Sequence, residues 1–264
     1  MTIEELNSEF PHISRPLKSF IVRIAGSVAD AEDIVQDTYV IAQQKIDTFR
    51  GESSLKTWLF AIASNLAKDN LRAKKRWPEN VLDITKAAAL SNRQFFAEAM
   101  EIRMTSPQGN YEIKEHIVFC FACISKSLPL EQQISIFLKE IYEFKVGEIA
   151  EIMDTTEAMV KYYLHSSRSK MMQIFDGRCA LINKEGICHQ CSELNGIFNP
   201  KQNAQEELMK LQLVKEAHNT NRERLFELRA QIVRDVDPFE SPAAVLQLHH
   251  LEQNRKVMEE HAEK

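Results

Sequence analysis

Trp58, Asn65 and Arg72 recur at seven-residue intervals in LKTWLFAIASNLAKDNLR, with Ala61, Lys68 and Lys75 beside them. At 100° per residue these positions fall on one narrow strip of a helix. An indole can stack on a nucleobase, an amide can hydrogen-bond a base edge, and cationic groups neutralise phosphates, so the strip suits DNA. Two readings of Trp58 stay open: a stacking platform, or a core aromatic ahead of a solvated basic end. A second set, Cys179, Cys188, His189 and Cys191, has a different chemistry. The two-residue gap between Cys188 and Cys191 lets two thiolates meet one zinc ion, with Cys179 or a histidine completing the tetrahedron. The same spacing suits a redox pair, or reduced thiols in a turn structure around Gly186 and Asn195-Gly196. No catalytic residues are assigned, since the cysteine segment has no evident general base.

The strip needs a helix, and the composition favours helices throughout. Glycine is scarce, at 7 of 264 residues, which argues against phosphate-binding glycine loops and a turn-rich β fold. Leu, Ala, Glu, Lys and Gln dominate the long periodic segments, so an all-α fold is expected: two small helical domains and a helical C-terminal extension. The formal net charge is only −5, so nucleic-acid binding must be sought in local charge. Residues 1 to 54 hold nine Asp/Glu and five Lys/Arg, whereas residues 55 to 76 hold one and six. That contrast suggests two different partners on one small domain. No apolar run approaches the ~20 residues of a spanning helix. The acidic N-terminus lacks a secretory layout, and five cysteines fit a reducing compartment, so a cytoplasmic protein without membrane contact is expected.

Composition shifts divide the chain into residues 1–77, a linker at 78–111 around Ser106-Pro107-Gln108-Gly109-Asn110, a helical unit at 112–175, and an extension at 176–264. The extension begins near Asp176-Gly177. It is expected to hold the cysteine segment, a charged helix from about Gln202 to Arg234, a break at Asp237-Pro238 and a last helix from about Ser241.

In SVADAEDIVQDTYVIAQQKIDTF, Asp30 is a plausible N-cap, and Val35, Tyr39, Ala42, Ile46 and Phe49 form the core-facing stripe. Asp33, Gln36 and Asp37 fall partly away from it. In the next helix, Leu55, Leu59, Ile62 and Leu66 make one apolar stripe, and Phe60, Ala67 and Leu71 a second side.

The segment LPLEQQISIFLKEIYEFKVGEIAEIMDTTEAMVKYYLHSSRSKM has the layout of a helix-turn-helix. Ala150 is the small residue where two helices cross. Asp154 falls where the turn needs a left-handed residue. Thr156 is a natural N-cap, Val160 and Leu164 anchor the second helix, and Glu157, Ala158, Lys161, Tyr162, His165 and Arg168 would face a major groove.

Read together, DAEDIVQDTYV, FRGESS and LKTWLFAIASNLAKDNLR resemble region two of bacterial sigma factors of the extracytoplasmic-function (ECF) type, over residues 15 to 77. The helix-turn-helix resembles region four of the same type, with Asp154 in place of the usual glycine and Tyr162-Tyr163 in place of a common Ser-Arg. The resemblance implies that Asp30, Asp33, Gln36 and Asp37 dock on the clamp helices of core RNA polymerase. It implies that Arg50, Gly51, Ser53, Ser54, Lys56, Trp58, Asn65, Lys68 and Arg72 meet the minus-ten element, with the loop Gly51 to Lys56 capturing a flipped base. Thr156, Glu157, Lys161, Tyr162, His165 and Arg168 would meet the minus-thirty-five element. Promoter DNA and core polymerase are the implied partners, with an anti-sigma factor as a further one. No cofactor is required, and zinc belongs to the cysteine segment if a metal is held there. The alternatives are a stand-alone helix-turn-helix regulator and a zinc or thiol sensor acting through the extension.

Overall fold

Helix α1 (Ile3–Ala25) starts at a reciprocal cap. The Glu5 amide donates to Thr2 Oγ1 at 3.2 Å and the Thr2 amide donates to Glu5 Oε2 at 2.8 Å. It ends at Gly26, whose φ of 73° lets its amide reach the Val22 carbonyl. The next residue, Ser27, caps α2 (Val28–Lys45) by accepting from the Asp30 amide. The sequence pointed to Asp30 as this cap. Gly26 closes α1 so abruptly that α2 begins three residues earlier, and Asp30 becomes a residue of its first turn. A short 3-10 turn leads through Phe49 and the exposed loop to α3 (Leu55–Ala73). The structure, a computed structural model, describes residues 1–73, 113–178, 222–239 and 244–262, with single positions at 84, 87, 91, 94 and 97.

The second unit comprises α4 (Ile113–Ser125), α5 (Leu130–Glu140), α6 (Val146–Met153) and α7 (Glu157–Arg178). Pro129 precedes α5, where its missing amide costs nothing. Between α6 and α7, Asp154 adopts φ 51° and ψ 58°, the left-handed conformation expected there, and its amide donates to the carbonyls of Ala150 and Glu151. Thr156 accepts from the Met159 amide at 3.2 Å, and Val160 and Leu164 are buried. The helix-turn-helix is therefore built as its local signals require. Helix α7 continues through Asp176-Gly177, where the sequence marked the start of the extension. One helical glycine costs only about 1 kcal/mol, and buried Met171 and Phe175 hold this stretch to the core.

Helices α8 (Arg222–Asp235) and α9 (Ala244–Ala262) follow. Far from standing apart, α8 packs on α4, α5 and α7 and buries Phe226, Ala230 and Val233 in the same core. Its Phe226 ring lies 5.6 Å from Phe121, and the Arg229 guanidinium sits over Phe175. No strand occurs among the described residues. No described helix is long and apolar enough to cross a membrane.

The two units are not separate. A single apolar core runs from α1–α3 into α4–α8. The turn after α5 drives Tyr142 and Phe144 into the first unit, against Phe20 and Phe60. Beside it, α3 packs directly on α6. A smaller cluster, formed by Leu6, Ala42, Ile46 and Leu59, lies at the far end of the first unit.

Candidate nucleic-acid interface

The acidic face of α2 follows from which residues the bundle takes inward. Ala31, Ile34, Thr38 and Ala42 are buried, so Asp33, Gln36 and Asp37 emerge as exposed. Asp30 does not join them. It is 9% exposed, drawn in by its place in the first turn of α2. Next to this face a groove of about 410 Å³ runs between α1 and α2, floored by Phe10, Val35 and Tyr39. The Lys18–Glu32 ion pair, 2.6 Å apart, lines it as well.

The loop before α3 carries four exposed residues of the expected minus-ten set or its neighbours: Arg50, Gly51, Glu52 and Ser54. Ser53 is half-buried. Gly51 has φ 74°, and a Cβ there would meet nothing within 4 Å. Glycine is needed for the backbone turn and not for space. Ser54 also has a structural role, because its Oγ accepts from the Thr57 amide at 3.0 Å and caps α3. Trp58 is half-buried, its ring 5.1 Å from Phe49 and packed on the Leu6–Leu59 cluster. Most of the indole serves packing, with an edge left to solvent.

Along the strip the outcomes diverge. Asn65 and Arg72 are exposed as expected. Lys68 is only 8% exposed, and its ammonium lies 3.5 Å from the Met153 carbonyl at the end of α6. A helix C-terminus carries partial negative charge, which suits a cation. Burial nonetheless pushes the Lys68 pKa down, and Arg72 adds to that, while Glu131, Asp154 and Asp69 oppose it. Lys56 is half-buried, its ammonium 4.7 Å from the Phe144 ring centroid. Arg72 also lies 4.0 Å from Glu131. Of the expected minus-ten residues, Lys68 is thus covered by the end of α6 and Lys56 partly by the Phe144 turn.

The outer face of α7 is open. Glu157, Lys161, Tyr162 and His165 are exposed, Tyr162 at 58%. Thr156 is engaged as the cap. Arg168 turns back instead: its Nε donates to Glu140 at 2.8 Å, and its terminal nitrogen contacts the same oxygen. Glu140 is the last residue of α5, where a carboxylate opposes the helix dipole and needs a cation. Cys179, Cys188, His189 and Cys191 lie outside the described residues.

Two residues that join the units escaped the sequence reading. Arg23 is 4% exposed, and its terminal nitrogen donates to the carbonyls of Val233 at 3.1 Å and Val236 at 2.7 Å. Tyr142 donates to Ser19 Oγ at 3.1 Å and accepts weakly from Arg23. The signals that could have found them were a cation within the apolar stripe Phe20, Ile21, Ile24, and two aromatics in the short Tyr142-Glu143-Phe144 turn.

Burial holds the Tyr142 phenol above its ordinary value, against the pull of Arg23 and of the hydrogen bond to Ser19. The folded chain therefore keeps this proton to higher pH than the unfolded chain. The contribution is intact below about pH 10 and is lost as pH rises through the raised value. Melting curves between about pH 8.5 and 11 should fall more steeply for the natural chain than for Tyr142→Phe. Parallel curves would remove the phenol from the interface.

Comparison with known proteins agrees with both units. Residues 11–77 match the model of Sigma-70 region 2, and residues 119–171 match that of Sigma-70, region 4. The chain is 30% identical over 139 residues to the ECF RNA polymerase sigma-E factor of Escherichia coli, covering 53% of this chain and 70% of that protein. It is 26% identical over 174 residues to the ECF RNA polymerase sigma factor SigG of Mycobacterium tuberculosis, covering 61% of this chain and 46% of that protein. The matched part thus spans about half the length of SigG. Among solved structures, the sigma factor RpoE in complex with the anti-sigma factor NepR from Bartonella quintana is similar, at 20% identity and a TM-score of 0.46. The likeness covers 65% of this chain and 96% of that one. With region two, region four and a sigma-E relative matched over most of its length, the chain belongs to the family of ECF RNA polymerase sigma factors.

Proposed function

We propose that the chain is a transcription initiation factor of the cytoplasm, without catalytic activity of its own, that brings core RNA polymerase to a set of promoters. The observation that carries this reading is the pairing, within one small bundle, of an exposed acidic face on α2 with an exposed glycine loop ahead of α3. A stand-alone helix-turn-helix regulator has no use for either. Asp33, Gln36 and Asp37 would contact the clamp helices of the polymerase. The loop from Arg50 to Lys56, with Asn65 and Arg72, would meet the minus-ten element. Lys161, Tyr162 and His165 would enter the major groove at the minus-thirty-five element.

Opening a promoter requires unstacking a base, which costs a few kcal/mol. A pocket that stacks the extruded base and hydrogen-bonds its edge offsets that cost. Gly51 leaves the loop backbone open to close approach, because no side chain stands over it. For Lys68 to reach a phosphate, α3 must leave α6.

Run-off transcription with purified bacterial core polymerase tests the reading. The full chain is expected to direct initiation from a discrete set of genomic fragments, and Asp33→Lys with Asp37→Lys should abolish it together with polymerase binding. Promoter binding by the chain alone, with no polymerase association, would instead mark a stand-alone regulator.

A further inference from the structure

The buried side of Arg23 identifies a role for the C-terminal segment. The groups that its guanidinium hydrogen-bonds come from outside region two: the carbonyls of Val233 and Val236 and the phenol of Tyr142. The Val233 carbonyl is in the last turn of α8 and the Val236 carbonyl just follows it, so a cation there satisfies acceptors that the helix itself cannot. Around this centre, Arg15 pairs with Asp237 at 2.9 Å, and the Lys18 ammonium lies over the Phe239 ring. One turn after a helix thus takes three cations of α1. The body of α8 is meanwhile anchored by Phe226, Ala230 and Val233 in the region-four core. Helix α8 is therefore fixed to one unit and tied at its end to the other.

The consequence falls on α3. While the units are held together, Lys68 is 8% exposed at the Met153 carbonyl, and half-buried Lys56 lies over Phe144. We infer that α8 and the turn Val236–Phe239 are an internal latch that holds regions two and four closed on each other and keeps Lys68 of α3 covered until polymerase competes the units apart. The inference rests on the initiation-factor reading above. The latch lowers apparent affinity by the fraction of chains that are open, since a partner that binds only the open form meets only that fraction. Releasing the latch should raise affinity without altering any residue that touches polymerase or DNA.

The test uses the full chain and acetylation by a soluble N-hydroxysuccinimide ester, followed residue by residue by mass spectrometry. In the natural chain Lys68 should react about tenfold or more slowly than exposed Lys161, as expected where open chains are a small fraction. Arg23→Met should accelerate Lys68 several-fold, leave Lys161 unchanged, and tighten binding to core polymerase by about the same factor. Equal Lys68 reactivity in the two chains would overturn the latch. Faster acetylation with unchanged polymerase affinity would overturn its inhibitory role. Should Arg23→Met lose its helical circular dichroism, Asp237→Lys provides the second variant. It places a like charge beside Arg15 at the surface, and a smaller rise of about two- to threefold is expected. The acetylation pattern does not depend on polymerase. Failure of every chain to initiate transcription would count against the initiation-factor reading, while that pattern would still decide whether α8 closes the units.

Discussion

Phe60→Ala is expected to lower the unfolding free energy by about 3–5 kcal/mol, the range for truncating a fully buried aromatic. Phe60 has no exposed surface, and its ring centroid lies 5.3 Å from Phe20, 5.6 Å from Tyr142 and 4.9 Å from Phe144. It is the ring on which region-two residues and the region-four turn converge, so its removal opens a cavity that neither unit can fill alone. A domain of ordinary stability has about 5–15 kcal/mol in all, so much of the margin would be lost. Urea denaturation of the full chain measures this. The midpoint should fall sharply for Phe60→Ala, whereas Phe60→Leu, which conserves more volume, should lose less. A loss under about 1 kcal/mol for the alanine variant would show that the two units do not share this core.

Arg168→Ala and Lys161→Ala should separate two roles that the helical periodicity of α7 assigned together. Arg168 is committed to Glu140, whose side chain is only 11% exposed at the C-terminal end of α5. Its loss leaves a nearly buried carboxylate without its cation and is expected to cost about 1–3 kcal/mol of stability. Lys161 is exposed and pairs with Glu157 one turn away at 3.4 Å. Such exposed pairs contribute little, so Lys161→Ala should leave the melting temperature nearly unchanged. Its effect should appear in minus-thirty-five DNA binding, with weaker affinity and a salt dependence reduced by about one charge. If Arg168→Ala instead changes the salt slope and leaves stability untouched, the Glu140 pair does not hold in solution.

The closed arrangement also gives Lys68 a direction of response. Lys68 is held below its ordinary pKa by burial, so its protonated form favours separation of α3 from α6. Polymerase or DNA that offered a phosphate or carboxylate to the freed ammonium would pull the same way.

What the sequence determined by itself was local. Helix periodicity, the Asp154 turn, the Thr156 cap and the outward Asp33, Gln36 and Asp37 depend on residues within one or two turns of each other, and short-range spacing records them. The tertiary structure decided which cations are buried and where α8 of the extension packs. Lys68 meets Met153 across 85 residues, and Arg23 meets Val233 across 210. Contacts of that range leave no period in the chain, because each partner looks like an ordinary residue of its own helix. Two local outcomes also turned on the fold: the abrupt end of α1 at Gly26 moved the cap from Asp30 to Ser27, and the turn around Phe49 packed Trp58. A strip of basic and amide residues can be found by counting along a helix. Whether it faces water, DNA or another part of the chain is settled only by what packs against it.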